Sequence, residues 1–209
     1  TLGDTGTGPV TGGAGDWEAL VEASESGVFP MRVRAYMSIG FEDAWRKANL
    51  KAGTGNDRVK LIGYKLSADG SNQAKTGLQR EPYVASDGSK GKAYLTQEEI
   101  DRQIQEWSKK GFQIAMHGNG GAGIDNIITG VRAAEKAGIE VERPRIEHCS
   151  IVHTDQLISI KELGLSASFL MGHVRYWGGA LVDVLGEDRA KLLDRTGTFE
   201  KMKIPFSLH

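Results

Sequence analysis

The sequence predicts an α/β fold built on parallel strands, and three observations carry this prediction. Short segments rich in β-branched and aromatic residues alternate along the chain with segments of helical periodicity. Repeated strand–helix units imply parallel strands joined by helical crossovers. The 209 residues include 28 glycines but only 5 prolines, which suits many tight turns between strands and helices. An eight-stranded barrel and an open doubly wound sheet both fit this pattern.

Six short segments are predicted as strands because most of them are rich in β-branched or aromatic residues. They are 31–37, 59–66, 112–117, 144–148, 165–171 and 204–209. Residues 1–4 are predicted to end one further strand. Residues 70–95 are polar and lack a clear period, which predicts a long loop of the kind that is usually functional or mobile.

Five helices are predicted between the strands, at 16–26, 96–110, 124–137, 154–163 and 180–193. Asp16 is a candidate N-cap, and Thr96 with Glu99 has the spacing of a capping box. Apolar residues recur three and four positions apart on one face of the second and third helices. Four of the helices are followed at once by a glycine that can end them: Gly27, Gly111, Gly138 and Gly164.

Composition excludes several classes of protein. Lys and Arg total 26 against 27 Asp and Glu, so the basic excess typical of nucleic-acid binding is missing. No apolar run approaches the roughly 18 residues of a membrane-spanning helix. Cys149 is the one cysteine, which rules out an internal disulfide and a cysteine-only metal cluster. We therefore expect neither a nucleic-acid nor a membrane partner, and the cellular compartment is left open.

Four of the five histidines fall at or just after the ends of predicted strands: His117, His148, His173 and His209. The carboxyl ends of parallel strands meet at one edge, which is where α/β barrels carry their active sites. Neutral imidazoles converging there suit a divalent ion such as zinc. The alternative is that these are ordinary histidines whose hydrogen bonds are satisfied in the core or at the surface.

Lys65 lies near the end of the predicted strand 59–66. A lysine that points into a barrel must be paired, neutralised or modified, because an isolated buried ammonium is costly. Reaction with carbon dioxide would give a carbamate, an anionic oxygen ligand able to bridge two metals. The alternative is that Lys65 pairs with Asp69 or reaches solvent.

Residues 118–123, GNGGAG, satisfy the pattern G-x-G-x-x-G. The turn follows a predicted strand and opens a helix, with Glu140 and Glu142 at a suitable distance downstream, as a dinucleotide-binding turn requires. An NAD-binding oxidoreductase is therefore an alternative. The competing interpretation is that the glycines allow a tight turn beside a metal site.

Five segments together resemble a known family in order and spacing. They are GYKLSADGS at 63–71, QIAMHGNGGAGID at 113–125, RPRIEHCSIV at 143–152, SFLMGHVRYWG at 168–178 and IPFSLH at 204–209. Through them the chain resembles the YtcJ-like metal-dependent hydrolases of amidohydrolase family 3. The resemblance implies a (β/α)8 TIM barrel, of which residues 1–209 are one incomplete segment from the end of strand 2 to strand 8. Strand 1 with its His-x-His pair, the strand 8 Asp and a small β-sandwich are expected outside these residues.

The resemblance also implies a site. Lys65, His117 and His148 are expected to be metal ligands, for one or two divalent ions with zinc preferred, and the carboxylation of Lys65 is left open. Catalytic roles fall to Lys65 and His173, and substrate-side roles to Asp69, His173 and Trp177. The implied reaction is hydrolysis of an amide or related C–N bond, other than a peptide bond, in a small-molecule substrate by metal-activated water. A homo-oligomer is left open, and a non-catalytic, truncated barrel fragment is the further alternative, because the 209 residues alone are not expected to be an efficient enzyme.

Overall fold

Six parallel strands form one sheet in the order in which they occur in the chain. The computed structural model describes residues 14–27, 31–84 and 86–209, with only the backbone of residues 14–16. The strands are Val33–Ser38 (β1), Val59–Ser67 (β2), Gln113–Gly118 (β3), Arg145–His148 (β4), Ser166–Phe169 (β5) and Phe206–Leu208 (β6). All six correspond to predicted strands, and the prediction for residues 1–4 lies outside the described residues.

Helices connect successive strands, as parallel pairing requires. They are Ala14–Glu25 (α1), Glu42–Ala48 (α2), Gln97–Lys109 (α3), Gly121–Lys136 (α4), Thr154–Glu162 (α5), Gly178–Leu185 (α6), Glu187–Ala190 (α7) and Thr196–Met202 (α8). The short α2 and α8 were not predicted, because seven residues display too little of a helical period. None of the helices described is long and apolar enough to cross a bilayer.

Local signals explain some of the helix ends. Thr96 caps α3 through its side chain, and Glu99 returns a bond to the Thr96 backbone, which completes the predicted capping box. The glycines that follow α3 and α5, Gly111 and Gly164, have φ of 77° and 63°. The helix α1 begins at Ala14, so Asp16 lies inside it and is not its N-cap.

The prediction of one helix over 180–193 is wrong. The chain instead forms a π-helix at His173–Trp177, continues into α6, and breaks before α7. Gly186 has φ of 82°, which a helix interior does not accommodate, so the apolar pattern is divided between two helices.

The main core lies between the sheet and the surrounding helices. Tyr64 of β2 stacks on Trp107 of α3 with ring centroids 4.9 Å apart, and Phe112 meets the same indole edge-on. A second, smaller apolar cluster joins Tyr83 of the long loop to α6 through Leu181 and Leu185. This cluster fixes the loop and α6 beside the carboxyl ends of the strands.

Ion pairs hold the long loop of residues 70–95 in place. Arg80 contacts Asp125 of α4 with Nε–Oδ2 and Nη2–Oδ1 distances of 2.7 and 2.6 Å. The same guanidinium contacts Asp155 of α5, with Nη2–Oδ2 and Nη1–Oδ1 distances of 2.7 and 3.0 Å. Bidentate pairs of this kind are geometrically specific. The loop is therefore fastened across the beginnings of two helices.

Candidate active site

Four imidazoles gather at the carboxyl ends of the strands, at or just after the ends of β3, β4, β5 and β6: His117, His148, His173 and His209. The ring centroid of His148 lies 4.7 Å from that of His117 and 5.2 Å from that of His209. It lies 6.0 Å from the centroid of His173. His148 is therefore the centre of the cluster, and the nearest pair is the one predicted to bind metal.

A left-handed stretch of backbone brings His148 into this cluster. His117 is the register partner of Glu147, so strict alternation would direct the side chain of His148 to the other face of the sheet. His148 and Cys149 have φ of 67° and 48°, which ends the strand and redirects the side chain. Such conformations cost non-glycine residues on the order of 1 kcal/mol each. The site therefore carries local backbone strain.

His148 is neutral in its surroundings. Burial lowers the pKa of His148 to about 2, and the nearby His117 and Lys65 add to this effect. Its Nδ1 is buried and has no hydrogen-bond partner in the described part of the chain. Neutral imidazole is the form that coordinates metals, and a bound cation would supply the contact that this nitrogen lacks.

Lys65 lies on the same face of the sheet as His117. In the pairing of β2 with β3, Lys65 is opposite Ala115, and Ser67 is opposite His117. Lys65 is half-buried, and its charge acts on His148. The register thus brings Lys65 and the two imidazoles to one region, and the role of Lys65 as a metal ligand stays a prediction.

Asp69 is buried beneath the turn that follows β3. Its Oδ1 accepts from the N–H of Asn119 at 2.9 Å, and its Oδ2 accepts from Gly120 at 2.7 Å and Leu78 at 2.8 Å. Burial raises the pKa of Asp69 to about 7, and these three donors oppose that rise. Because both oxygens are occupied, this geometry favours a structural role for Asp69 over a contact with substrate or a pair with Lys65.

The glycine turn at 118–123 is filled by the chain itself. A Cβ at Gly120 would lie 2.1 Å from the Leu78 carbonyl oxygen, and one at Gly123 would lie 2.5 Å from Asp69 Oδ2. The N–H groups of Ala122 and Gly123 donate to Leu78 as well. In a dinucleotide-binding turn, free backbone N–H groups bind the pyrophosphate, and the absence of side chains leaves room for it. Here Leu78 and Asp69 already take both the N–H groups and the room. The oxidoreductase alternative therefore has no support in the structure.

Two polar residues of the site were missed from the sequence. Asn119 follows His117 by two positions, and Ser150 follows His148 by two positions. Their side chains meet, with Ser150 Oγ 2.5 Å from Asn119 Oδ1, and Ser150 also lies 3.1 Å from Nδ1 of His173. The repeated spacing of a polar residue two positions after a strand-end histidine is the signal that could have revealed them.

Two groups lie within hydrogen-bond distance of Nε2 of His117, a backbone carbonyl and a side-chain amide. The carbonyl oxygen of Gly70 lies 2.9 Å from Nε2 of His117. Asn119 Nδ2 lies 3.0 Å from the same nitrogen. The carbonyl can only accept and the amide nitrogen can only donate, so the two contacts favour opposite protonation states of Nε2 and together hold the ring in place. Hydrogen bonds of this kind commonly orient histidines that bind metals.

The remaining predicted residues lie on the π-helix. His173 begins it and is buried, with Asp194 Oδ2 3.8 Å from its Nδ1. Trp177 ends it and is 47% exposed. Their roles toward a substrate stay predictions.

The residues present fit a metal centre in part. Among residues 14–27, 31–84 and 86–209, no three His, Cys, Asp or Glu side chains are arranged to hold an ion. His148, whose buried Nδ1 has no hydrogen-bond partner in the described residues, nevertheless lies beside His117. The two residues supply imidazole donors of the type that zinc prefers. Two such donors are an incomplete set of ligands.

Comparison with known proteins places this geometry in a family. The model of the amidohydrolase family matches residues 1–209. The chain belongs to this family. The resemblance stated from its motifs is thereby confirmed.

Amidohydrolase relatives span more than this chain. Crystal structures of uncharacterized metal-dependent hydrolases from Pyrococcus furiosus and Pyrococcus horikoshii OT3 are 31% and 28% identical, with TM-scores of 0.78 and 0.76. Both comparisons cover 92% of this chain, but 40% and 38% of those proteins. The protein YtcJ of Bacillus subtilis (strain 168) is 22% identical over 175 residues, which are 83% of this chain and 32% of that protein. The six-stranded sheet is thus a segment of a (β/α)8 TIM barrel, as predicted, and the doubly wound alternative is wrong.

Proposed function

We propose that this chain forms part of a metal-dependent hydrolase that cleaves an amide or related C–N bond, other than a peptide bond, in a small molecule. The observation that carries the proposal is the pair of adjacent, half-buried imidazoles, His117 and the neutral His148, at the carboxyl ends of the strands. Membership of the amidohydrolase family and the likeness to two proteins named metal-dependent hydrolases support it.

His117 and His148 would hold a divalent ion, with zinc the expected choice for imidazole donors. Lys65 would contribute as a carbamate: its unprotonated amine forms an N–C bond to carbon dioxide and releases one proton. When bound, the ion supplies the acidity of a coordinated water and polarises the scissile carbonyl. Further ligands would come from parts of the protein outside the described residues.

The other residues of the site act on protons and on the substrate. His173, buried beside His148, would exchange a proton with the reacting groups through its Nε2. Trp177, exposed at the end of the π-helix, would contact the substrate. Asp69 would act indirectly, because it holds the turn that carries Asn119.

Metal analysis of the 209-residue chain tests the proposal. After incubation with zinc and removal of excess ion, His117→Ala and His148→Ala are expected to reduce bound zinc at least tenfold, since each removes one of the two imidazoles. His153→Asn is the matched control, because the fifth histidine caps α5 and asparagine can replace it there. Equal zinc in all four proteins would contradict the assigned ligands.

Activity is measured on the full-length protein that contains these residues and on its His117→Ala and His148→Ala variants, because the 209 residues alone are not expected to be an efficient enzyme. The release of carboxylate from a panel of N-acyl amino acids and simple amides is followed with and without a chelator. Hydrolysis that is lost with the chelator and restored by zinc supports the proposal. Hydrolysis that persists after the metal has been removed would refute it.

A further inference from the structure

We propose that Asn119 and Ser150 are positioning residues that hold His173 in one tautomer, with the proton on Nδ1 and the lone pair on Nε2. Asp194 reinforces this arrangement from the same side of the ring. The inference concerns the chain's own hydrogen bonds and stands whether or not the protein is a metal-dependent hydrolase.

The chain of hydrogen bonds begins at the backbone carbonyl of Gly70. A carbonyl oxygen can only accept, and Asn119 Nδ2 lies 2.8 Å from it, so the amide nitrogen of Asn119 donates there. This contact fixes which end of the Asn119 amide is nitrogen. The other end, Oδ1, therefore faces Ser150 as an acceptor.

The direction of each later bond follows from this first one. Ser150 Oγ lies 2.5 Å from Asn119 Oδ1, and because that oxygen only accepts, the hydroxyl donates its single hydrogen to it. Ser150 Oγ also lies 3.1 Å from Nδ1 of His173. With its hydrogen already committed, Ser150 can only accept in this contact. The proton must therefore be on Nδ1, which leaves Nε2 unprotonated.

Asp194 supplies an independent observation. Its Oδ2 lies 3.8 Å from the same Nδ1, and both carboxylate oxygens are buried with no hydrogen-bond partner in the described part of the chain. Asp194 also has φ of 42°, an unfavourable conformation for a residue other than glycine. A buried carboxylate that lacks hydrogen bonds is costly. The position of this carboxylate therefore favours the tautomer of His173 that carries its proton on Nδ1, the ring nitrogen nearest to Asp194.

The network links separate parts of the fold. Gly70 belongs to the long loop, Asn119 to the turn after β3, Ser150 to the segment after β4 and His173 to the π-helix. All of the side chains concerned are buried. Burial strengthens such hydrogen bonds and makes an unpaired member expensive, so the tautomer is set by the fold and not by exchange with water.

Nitrogen NMR of the 209-residue chain tests the proposal. Long-range proton–nitrogen correlations distinguish the two tautomers, and the signals of His173 are assigned by their loss in His173→Gln. The wild-type protein is expected to show Nδ1 protonated. Ser150→Ala removes the acceptor and is expected to shift the tautomer ratio toward Nε2–H about tenfold, the effect of one hydrogen bond to a polar group. Ser150→Thr keeps the hydroxyl and should restore the wild-type ratio.

A matched control separates this effect from general loosening of the site. Ser168 Oγ lies 2.8 Å from Nδ1 of His209, so Ser168→Ala removes a comparable hydrogen bond from another histidine of the cluster. It should change the signals of His209 and leave the tautomer of His173 unaltered. Two results would overturn the proposal. The first is a wild-type His173 protonated on Nε2, a measurement that does not depend on whether Ser150→Ala folds. The second is a folded Ser150→Ala protein in which the tautomer ratio of His173 is unchanged.

Discussion

Gly120 is the residue at which the long loop meets the beginning of α4. Its N–H donates to Asp69 Oδ2, while its Cα faces the backbone of Leu78 so closely that no side chain fits between them. The loop carbonyl thus occupies the helix N-terminus that a phosphate would need. The glycine here is required by the close approach of two backbone segments, which neither explanation of GNGGAG drawn from the sequence included.

Gly120→Ala is expected to lower the free energy of unfolding by about 2–4 kcal/mol, because overpacking against a backbone oxygen cannot be relieved by a side-chain rotation. Urea unfolding followed by circular dichroism measures the change. Gly179→Ala is the control, since nothing lies within 4 Å of a Cβ built there in α6. It should be neutral or stabilise by up to about 1 kcal/mol. Equal effects of the two substitutions would contradict the packing argument.

Between elements, the clearest electrostatic contact joins α2 to α3. Arg46 Nε and Nη2 each lie 2.8 Å from one oxygen of Glu106. Lys110, the residue that follows α3, places its Nζ 3.1 Å from Oε1 of Glu106. The hydrogen bond from Arg46 is the main reason that the pKa of Glu106 falls to about 2, from an ordinary value of 4.5.

This contact predicts a pH dependence of stability. The pKa of Glu106 is lower in the folded chain than in the unfolded one, so its contribution is complete above about pH 4.5 and is lost as the pH falls toward 2. The stability difference between wild type and Glu106→Gln should therefore be about 1 kcal/mol near neutral pH, since the pair is partly exposed. This stability difference should vanish as the pH approaches about 2. Urea unfolding at several pH values measures it, with the exposed Glu135→Gln as control, and a difference independent of pH would disprove the assignment.

On the scale of the whole molecule, β1 and β6 are the outer strands of the sheet formed by the described residues. Phe206 and Leu208 of β6 are 37% and 57% exposed. Exposed strand edges with apolar side chains are templates for association. In a complete (β/α)8 barrel such an edge pairs with a further strand, so this exposure belongs to the isolated 209-residue polypeptide.

The 209-residue chain is therefore expected to associate as its concentration rises. Leu208→Lys should raise the concentration of half-association about tenfold or more, because it replaces an apolar contact of about 1.5–3 kcal/mol by a charge. Size-exclusion chromatography with light scattering measures this. Tyr176→Lys changes a side chain that is 81% exposed and belongs to the π-helix, not to β6, and should have little effect. A wild-type chain that stays monomeric at all concentrations, or a Tyr176→Lys that acts equally, would reject the edge as the interface.

Local sequence patterns were sufficient to predict the strands and the helix ends that depend on residues close together in the chain. Short segments, most of them rich in β-branched or aromatic residues, predicted all six strands, and the capping signals at Thr96 and Glu99 predicted where α3 begins. The gathering of histidines was also predictable, because parallel strands end at one edge of the sheet. The helix predicted at 180–193 failed because Gly186 interrupts a pattern that remains apolar on both sides.

The amino-acid sequence alone was enough to establish the parallel α/β architecture, the family resemblance and the candidate imidazoles, since these follow from periodicity and short motifs. Folding decided which side chains meet. The contact of His117 with Gly70 spans 47 residues, and that of Ser150 with His173 spans 23. The left-handed φ of His148 reverses the face that alternation assigns to it. Such arrangements depend on hydrogen bonds and strain between distant segments, which local sequence patterns do not encode.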